Sequence, residues 1–239
     1  MPLHNMKDKI IVALDVDTLK GQQRLLDILS PYVKIFKIGM ELFYACGPKS
    51  VELVKKYDRD VFLDLKFCDI PNTVRAASAA ATRLGVWMFN MHASGGLEMM
   101  RAGLEAAKEE SDRLGIDRPR IVGVTVLTSM DKDALSKIGI SRPIEEQVLN
   151  LAMLAKESGL DGVVASAMEA KVIKKNLGKD FLVVTPGVRP AGSLSQDQKR
   201  TVTPKEAFDN GADYIVIGRP IIKAKDPEKA IIDLFKDIS

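Results

Sequence analysis

Short apolar runs recur along the chain, and longer amphipathic stretches separate them. Each run is brief and rich in β-branched residues, which is typical of strands buried in a parallel sheet. The runs predict eight strands, at residues 10–16, 33–40, 61–67, 86–93, 121–128, 162–167, 181–188 and 214–221.

The stretches between the runs have helical spacing. The clearest of these helices begins at Pro143 and ends at Gly159, and its apolar face consists of Val148, Leu151, Ala152 and Ala155. A final helix, which we expect to cover the first strand, has an apolar face formed by Pro227, Ile231, Leu234 and Phe235.

Eight strands that alternate with eight helices predict an α/β fold, namely a single-domain (β/α)₈ TIM barrel over residues 1–239. A doubly wound open sheet is the alternative. However, no G-x-G-x-x-G motif follows the first strand, and no Pro-, Gly- or Ser-rich linker divides the chain. A length of 239 residues is common for one undivided barrel.

Composition and charge argue against several classes of function. A formal charge of +3 without a basic tract argues against a nucleic-acid partner, and no apolar run is long enough to span a membrane. Cys46 and Cys68 provide neither a disulfide framework nor zinc spacing, and His4 and His92 form no ligand pair, so we expect no metal site. Together with the polar residues 1–9, the cysteine content favours a cytoplasmic location.

The predicted fold places an active site at the carboxyl ends of its strands. Several polar residues occupy these positions, and we expect them to cluster at one mouth of the barrel. They are Asp15, Lys37, Asp64, Lys66, Thr128, Arg189, Gly218 and Arg219.

The segment DLKFCDIPNT, residues 64–73, carries three charges directly after an apolar run. Since residues two apart on a strand share a face, Asp64 and Lys66 should both project into the mouth, with Asp69 beyond them and Lys37 alongside. Alternating signs allow such groups to remain ionised together. The array offers a lysine held as a proton donor beside a fixed carboxylate, although a solvated ion pair at a strand end is the simpler alternative.

This segment resembles the signature of the orotidine 5′-phosphate decarboxylase family. Five further blocks match that family in order, so the resemblance covers nearly the whole chain: ALDVD at 13–17, KIFKIGMELF at 34–43, VTVLTSM at 124–130, TPGVRP at 185–190 and IVIGRPI at 215–221.

The resemblance implies decarboxylation of orotidine 5′-monophosphate to uridine 5′-monophosphate and carbon dioxide in de novo pyrimidine biosynthesis. It implies that Lys66 protonates C6 of the pyrimidine and that Asp64 lies beside the substrate carboxylate. Lys37 and Asp69 would complete the charged network. The family uses no cofactor, so electrostatic stabilisation of a C6 carbanion must replace an electron sink.

The resemblance also implies which residues bind the nucleotide. Asp15, Lys37 and Asp69 would bind the ribose hydroxyls, and Thr128, or its neighbour Ser129, would contact the pyrimidine. The phosphate would be held by Arg189, Gln198, Gly218 and Arg219, with the long polar loop 189–200 closing over it. In a homodimer, Asp69 and Thr73 would reach the site of the neighbouring subunit.

Two other functions remain open at this point. Related barrels share Asp-x-Lys-x-x-Asp but use magnesium to stabilise an enediolate derived from sugar phosphates. A non-catalytic barrel that senses uridine monophosphate is the second alternative. The IPNT and TPGVRP segments favour the metal-free decarboxylase, and a sensor would need no lysine in the place of Lys66.

Overall fold

The computed structural model describes residues 8–189 and 202–238, and within them eight parallel strands close into a barrel in sequential order. The predicted (β/α)₈ barrel is therefore confirmed. The strands are β1 (Ile10–Ala13), β2 (Ile35–Gly39), β3 (Asp60–Phe67), β4 (Met88–His92), β5 (Arg120–Val124), β6 (Gly162–Val164), β7 (Leu182–Thr185) and β8 (Tyr214–Ile217).

The same described ranges contain eleven α-helices, three more than the alternation predicted. They are α1 (Leu19–Leu29), α2 (Met40–Cys46), α3 (Lys49–Lys56), α4 (Pro71–Arg83), α5 (Leu97–Leu114), α6 (Lys132–Lys137), α7 (Ile144–Glu157), α8 (Ala167–Leu177), α9 (Pro204–Asp209), α10 (Arg219–Ile222) and α11 (Pro227–Ile238), with a 3₁₀ turn at Ala93–Gly95. The additional helices are the short ones that follow β2, β5 and β8.

The strand residues alternate between two separate cores. Along β3, Val61 and Leu63 face the surrounding helices, whereas Phe62 points into the barrel. The interior is filled by Phe62 together with Ile11, Ala13, Ile35, Met88, Val122, Val184 and Val216. Because these side chains fill the barrel below its mouth, polar groups at the carboxyl ends of the strands stand on an apolar floor.

The two helices with the clearest sequence signal form as predicted. Helix α7 starts directly after Pro143 and buries the four residues of its predicted apolar face. Helix α11 buries its predicted face as well, and it packs beside α1 and shares the outer core with Ile10 and Val12 of β1. No helix in the described part of the chain is long and apolar enough to cross a membrane.

Every strand except β3 ends earlier than its apolar run predicted, and three of these strands bear directly on the predicted site. Strand β5 ends at Val124, β7 at Thr185 and β8 at Ile217. Turn-forming residues and prolines interrupt the ladder at these points, because a proline such as Pro186 has no N–H to donate. Thr128 and Arg189 therefore lie in loops beyond their strands, and Arg219 begins the short helix α10.

Candidate active site

A cavity of about 370 Å³ opens at the carboxyl ends of the strands. Its apolar floor and walls include Phe62, Val126, Leu127, Val164, Pro186 and Val216. Its polar lining in the described part of the chain includes Asp15, Lys37, Asp64, Lys66, Asn90, Thr128, Ser129, Arg189 and Arg219, and Gly218 lies among them. The structure thus brings together at one mouth all eight residues predicted for the strand ends, seven polar residues and Gly218.

Four of these side chains form a continuous chain of ion pairs. Lys37 Nζ lies 3.3 Å from Asp15 Oδ1 and 3.3 Å from Asp64 Oδ2. Lys66 Nζ donates to the other oxygen of Asp64 at 2.6 Å. Asp64 therefore bridges two ammonium groups and cannot turn away from the cavity without breaking one of these contacts.

Lys37 occupies the centre of this network. Burial by itself would lower the pKa of the Lys37 ammonium, but the carboxylates of Asp64 and Asp15 outweigh it and raise the pKa above its ordinary value. Lys37 is therefore a fixed cation over the range in which enzymes work. Lys34, the competing lysine on the same strand run, instead pairs with Asp60 at 3.6 Å at the amino end of β3.

Asp64 is held ionised by the same contacts. Burial would raise the pKa of its carboxyl, but Lys37 and Lys66 outweigh burial, and hydrogen bonds from Lys66 and Asn90 add to their effect. The net result is a lowered pKa. The site therefore keeps a largely buried carboxylate charged beside any anion that enters the cavity.

Asn90, on β4, is a site residue that the sequence interpretation missed. Its side chain is buried, its Nδ2 donates to Asp64 Oδ1 at 2.6 Å, and its Oδ1 accepts from the backbone N–H of Lys66 at 2.8 Å. The signal in the sequence was one amide within the apolar run VWMFNMHA. A polar residue in a buried strand requires hydrogen-bond partners. In this case the partners are Asp64 and Lys66 of the DLKFCDIPNT segment.

Two glycines make room for the network. A Cβ on Gly39 would lie 2.9 Å from Lys37 Nζ, and a Cβ on Gly218 would lie 3.2 Å from Asp15 Oδ2. A larger residue at either position would displace a charged group. Gly218 thus has a steric role beside Asp15 in addition to its predicted place near the phosphate.

The predicted phosphate and pyrimidine residues in the described part of the chain line the same cavity as the network. Arg189 follows β7, Arg219 begins α10, and Thr128 and Ser129 both line the wall after β5. Gln198 lies outside the described residues. Among the described lining residues, four cationic side chains and two carboxylates leave two positive charges in excess, which suits a phosphate dianion.

Asp69 and Thr73 do not join the cavity of their own chain. Both are exposed, and neither is among its lining residues. Asp69 Oδ1 accepts from the backbone N–H of Ile70, and Thr73 belongs to the first turn of α4. Within one chain, Asp69 therefore does not join the ion pairs of Asp15, Lys37, Asp64 and Lys66, and its role at the site of a neighbouring subunit stays a prediction.

His92 ends β4 beside the network. Burial lowers the pKa of its imidazole, the nearby Lys66 lowers it further, and Asp64 opposes the change. The residues that the structure describes contain no group of three or more His, Cys, Asp or Glu side chains arranged to hold a metal ion.

Comparison with known proteins places this geometry in a family. The family model described as "Orotidine 5'-phosphate decarboxylase / HUMPS family" matches residues 8–233. The orotidine 5′-phosphate decarboxylase of Moorella thermoacetica is 54% identical over 225 residues, which cover 94% of this chain and 89% of that protein. The decarboxylase of Legionella pneumophila is 48% identical and covers 98% of this chain and 100% of its own length.

Solved structures give the same result at the level of the fold. The crystal structure of orotidine 5′-phosphate decarboxylase from Lactobacillus acidophilus has a TM-score of 0.84 and 38% sequence identity, covering 97% of this chain and 99% of that chain. An uncharacterised conserved protein from Geobacillus kaustophilus has the same TM-score and 42% identity, covering 96% of this chain and 100% of its own.

Proposed function

The chain belongs to the orotidine 5′-phosphate decarboxylase / HUMPS family, and we propose that its charged mouth decarboxylates the substrate without a cofactor, with Lys66 as the proton donor. It is an enzyme, a carboxy-lyase that converts orotidine 5′-monophosphate to uridine 5′-monophosphate and carbon dioxide in pyrimidine biosynthesis. The observation that carries the mechanism is the largely buried carboxylate of Asp64 held between two ammonium groups at the cavity.

Loss of carbon dioxide leaves an electron pair on C6 of the pyrimidine, and no adjacent carbonyl can delocalise it. A cation already in place stabilises such a charge more effectively than water does, because the protein needs no reorganisation at the moment of reaction. Lys66 is partly shielded from solvent and is fixed by a 2.6 Å bond to Asp64. In our proposal its ammonium first stabilises the developing carbanion and then transfers a proton to C6.

Asp64 and Lys37 set the geometry for this step. Asp64 would lie beside the substrate carboxylate, so their repulsion is relieved when carbon dioxide departs, an effect that assists the cation and does not replace it. Lys37 neutralises part of the charge of Asp64 and bridges to Asp15. In our proposal, Asp15 and Lys37 also bind the ribose hydroxyls.

The phosphate would bind at the part of the cavity that follows β7 and β8. Arg189, Gly218 and Arg219 line that part, and Gln198, which lies outside the described residues, would join them. An arginine can hold a phosphate through two parallel charge-assisted hydrogen bonds. Binding energy from this remote group offsets the cost of holding two carboxylates close together at the reacting end. Thr128 or Ser129 would contact the pyrimidine.

We further propose a homodimer in which Asp69 and Thr73 complete the site of the neighbouring subunit. Every residue from Cys68 to Thr73 is exposed in the single chain, including Ile70, whose surface is 67% accessible. An apolar side chain so exposed within a functional segment suits a surface that a second copy covers. Both cysteines are free, which suits the proposed location in a reducing cytoplasm.

The test is turnover by the purified protein with no added cofactor. Loss of orotidine monophosphate absorbance, matched by uridine monophosphate formed, should continue at an unchanged rate after treatment with EDTA. Activity that stops with the chelator and returns with magnesium would instead favour the metal-dependent sugar-phosphate chemistry of related barrels. Binding of uridine monophosphate without any turnover would favour a sensor.

A further inference from the structure

The catalytic segment interrupts the regular pairing of the barrel. Leu63 pairs with Phe89 and Phe67 pairs with Met91, so β3 advances four residues while β4 advances two. Asp64, Leu65 and Lys66 therefore lie opposite Asn90 alone. Four residues of regular strand span about 13 Å, whereas two residues of β4 span about 7 Å, so the extra residues of β3 are folded into a bulge.

Lys66 has a strained backbone within this bulge. Its φ is 55°, in the left-handed region that residues with side chains rarely adopt. Such a conformation costs on the order of 1–3 kcal/mol and persists only where neighbouring contacts hold it. The bulge also removes the backbone N–H of Lys66 from the regular ladder between the two strands, and this N–H needs another acceptor.

Asn90 supplies that acceptor and a donor to Asp64 with the same side chain. Its Oδ1 accepts from the Lys66 backbone N–H at 2.8 Å, and its Nδ2 donates to Asp64 Oδ1 at 2.6 Å. Its side chain is only 1% exposed, so both contacts are shielded from water. One amide thus connects the backbone of the proton donor to the carboxylate that holds the ammonium of that donor.

We propose that Asn90 is a positioning residue that fixes the Asp64–Lys66 bulge in its catalytic shape. Without this amide, the backbone of Lys66 can relax from its left-handed conformation, and its ammonium moves from the place where C6 needs a proton. A displacement of about 1 Å can cost on the order of a hundredfold in rate. The inference rests on the proposed roles of Lys66 and Asp64.

Two variants separate the two contacts. Asn90→Leu removes both, and we expect kcat to fall at least about tenfold while KM changes by less than about threefold. Asn90→Asp has nearly the same shape, so it preserves packing. It keeps the acceptor for the Lys66 N–H, but it places a second carboxyl against Asp64 and loses the donor whenever that carboxyl is ionised.

The Asn90→Asp variant has a pH signature that a purely structural role would not give. Two carboxyls in contact share one proton, and the protonated form of Asp at position 90 can donate to Asp64 as the amide does. The ratio of its kcat to that of the unaltered enzyme should therefore rise as pH falls. The charged and titratable groups around the pair are Lys66 on β3, Lys37 on β2, Asp15 after β1 and His92 on β4. Taking the ratio cancels any pH dependence that the two proteins share.

Thr185→Val is the matched control. Thr185 is fully buried at the end of β7, which lies across the barrel from β3. Its substitution should leave kcat within about twofold. The unaltered enzyme and Lys66→Ala are assayed alongside, so that failure of the proposed chemistry is seen separately: an inactive unaltered enzyme or an active Lys66→Ala protein would reject that chemistry itself.

The inference is supported if Asn90→Asp shows the rising ratio at low pH and uridine monophosphate still binds at its usual affinity. It is overturned if the unaltered enzyme is active and Lys66→Ala is not, while folded Asn90→Asp has a kcat ratio that is independent of pH. It is also overturned if Asn90→Leu retains kcat, or if it loses no more than the Thr185→Val control. If Asn90→Leu fails to fold, the isosteric Asn90→Asp decides the result alone.

Discussion

At the scale of single residues, the site depends on close packing around its charged side chains. Lys37 reaches both Asp15 and Asp64 because Gly39, two residues along β2, has no side chain. Asp64 remains ionised because cations and an amide donor outweigh its burial. Small changes of volume or charge at these positions should therefore affect catalysis more than they affect folding.

Gly39→Ala tests the steric part of this view. The new Cβ would lie 2.9 Å from Lys37 Nζ, so the ammonium must leave its place between the carboxylates. Since the φ of Gly39 is −92°, alanine causes no backbone strain there. We expect kcat/KM to fall by about tenfold to a hundredfold and the free energy of unfolding by no more than about 1 kcal/mol.

Gly21→Ala is the control for this substitution, because its Cβ would meet Thr18 Oγ1 at 3.1 Å on α1, away from the cavity. Both variants are compared by steady-state kinetics and urea unfolding. Equal kinetics in the two variants would show that Lys37 tolerates displacement.

The pH dependence of stability tests the electrostatic part. The lowered pKa of Asp64 stabilises the fold above its unfolded value near 4, and this stabilisation is lost as pH falls through the folded pKa. The raised pKa of Lys37 stabilises the fold below its unfolded value near 10.5, and this stabilisation is lost as pH rises through the folded pKa. The network therefore stabilises the protein fully between about pH 4 and pH 10.

Asp64→Asn should lower the free energy of unfolding at pH 7 by about 3 kcal/mol, because two neighbouring ammonium groups lose their shared counter-ion. The difference from the unaltered protein should shrink as pH falls below about 4. Asp60 is on the same strand, but its pair with Lys34 is more exposed. Asp60→Asn should therefore change the free energy of unfolding at pH 7 by no more than about 0.5 kcal/mol. Urea unfolding at fixed protein concentration measures the free energy of unfolding of both variants. A difference for Asp64→Asn that is independent of pH would contradict the account.

At the scale of elements, the strands and the long helices were predictable because their signals are local. All eight apolar runs became strands, and α7 and α11 buried the residues that their spacing indicated. The bulge opposite Asn90 was not predictable, because it depends on the register between β3 and β4. Simple alternation gave the correct face for Asp64 and Lys66 but no sign of the left-handed backbone of Lys66.

The short helix α10 carries the element-scale prediction. Arg219 is its first residue and lines the cavity. Arg219→Ala should reduce kcat/KM for orotidine monophosphate by about a hundredfold, because a charge-assisted contact to the phosphate is lost. Turnover of orotidine, which lacks the phosphate, should be slow with the unaltered enzyme and almost unaffected by the substitution.

Lys223→Ala is the control, since it removes an exposed cation that follows the same helix. It should change kcat/KM for either substrate by less than about threefold. Equal losses for both substrates in Arg219→Ala would mean that Arg219 supports the fold and does not recognise the phosphate.

At the scale of the whole molecule, one chain places only part of its DLKFCDIPNT segment at its own cavity. Asp64 and Lys66 line the cavity, while Asp69 and Thr73, only a few residues later, face outward. The pattern of residues did not separate these two groups, because their exposure is a feature of the tertiary structure, and only the family resemblance assigned Asp69 and Thr73 to a neighbouring subunit. If a second copy receives Asp69 and Thr73, the two active sites are interdependent.

Mixed dimers test this arrangement. Lys66→Ala and Asp69→Ala proteins should each be nearly inactive alone. After the two are unfolded, mixed in equal amounts and refolded together, one site of each mixed dimer contains both defects and the other contains neither. About a quarter of the original activity should return, as expected for a closed two-fold dimer. No recovery, with mixed dimers demonstrated by tagged subunits, would show that each chain builds its own site.

The central claim is that the fixed ammonium of Lys66 drives decarboxylation in a site without a cofactor. Its most direct test is the turnover of orotidine monophosphate by EDTA-treated Lys66→Ala, compared with the unaltered protein and with Lys34→Ala, which removes the exposed lysine paired with Asp60. We predict a loss of at least about a thousandfold in Lys66→Ala, retained binding of uridine monophosphate, and near-normal turnover in Lys34→Ala. Near-normal turnover by folded Lys66→Ala would contradict the account.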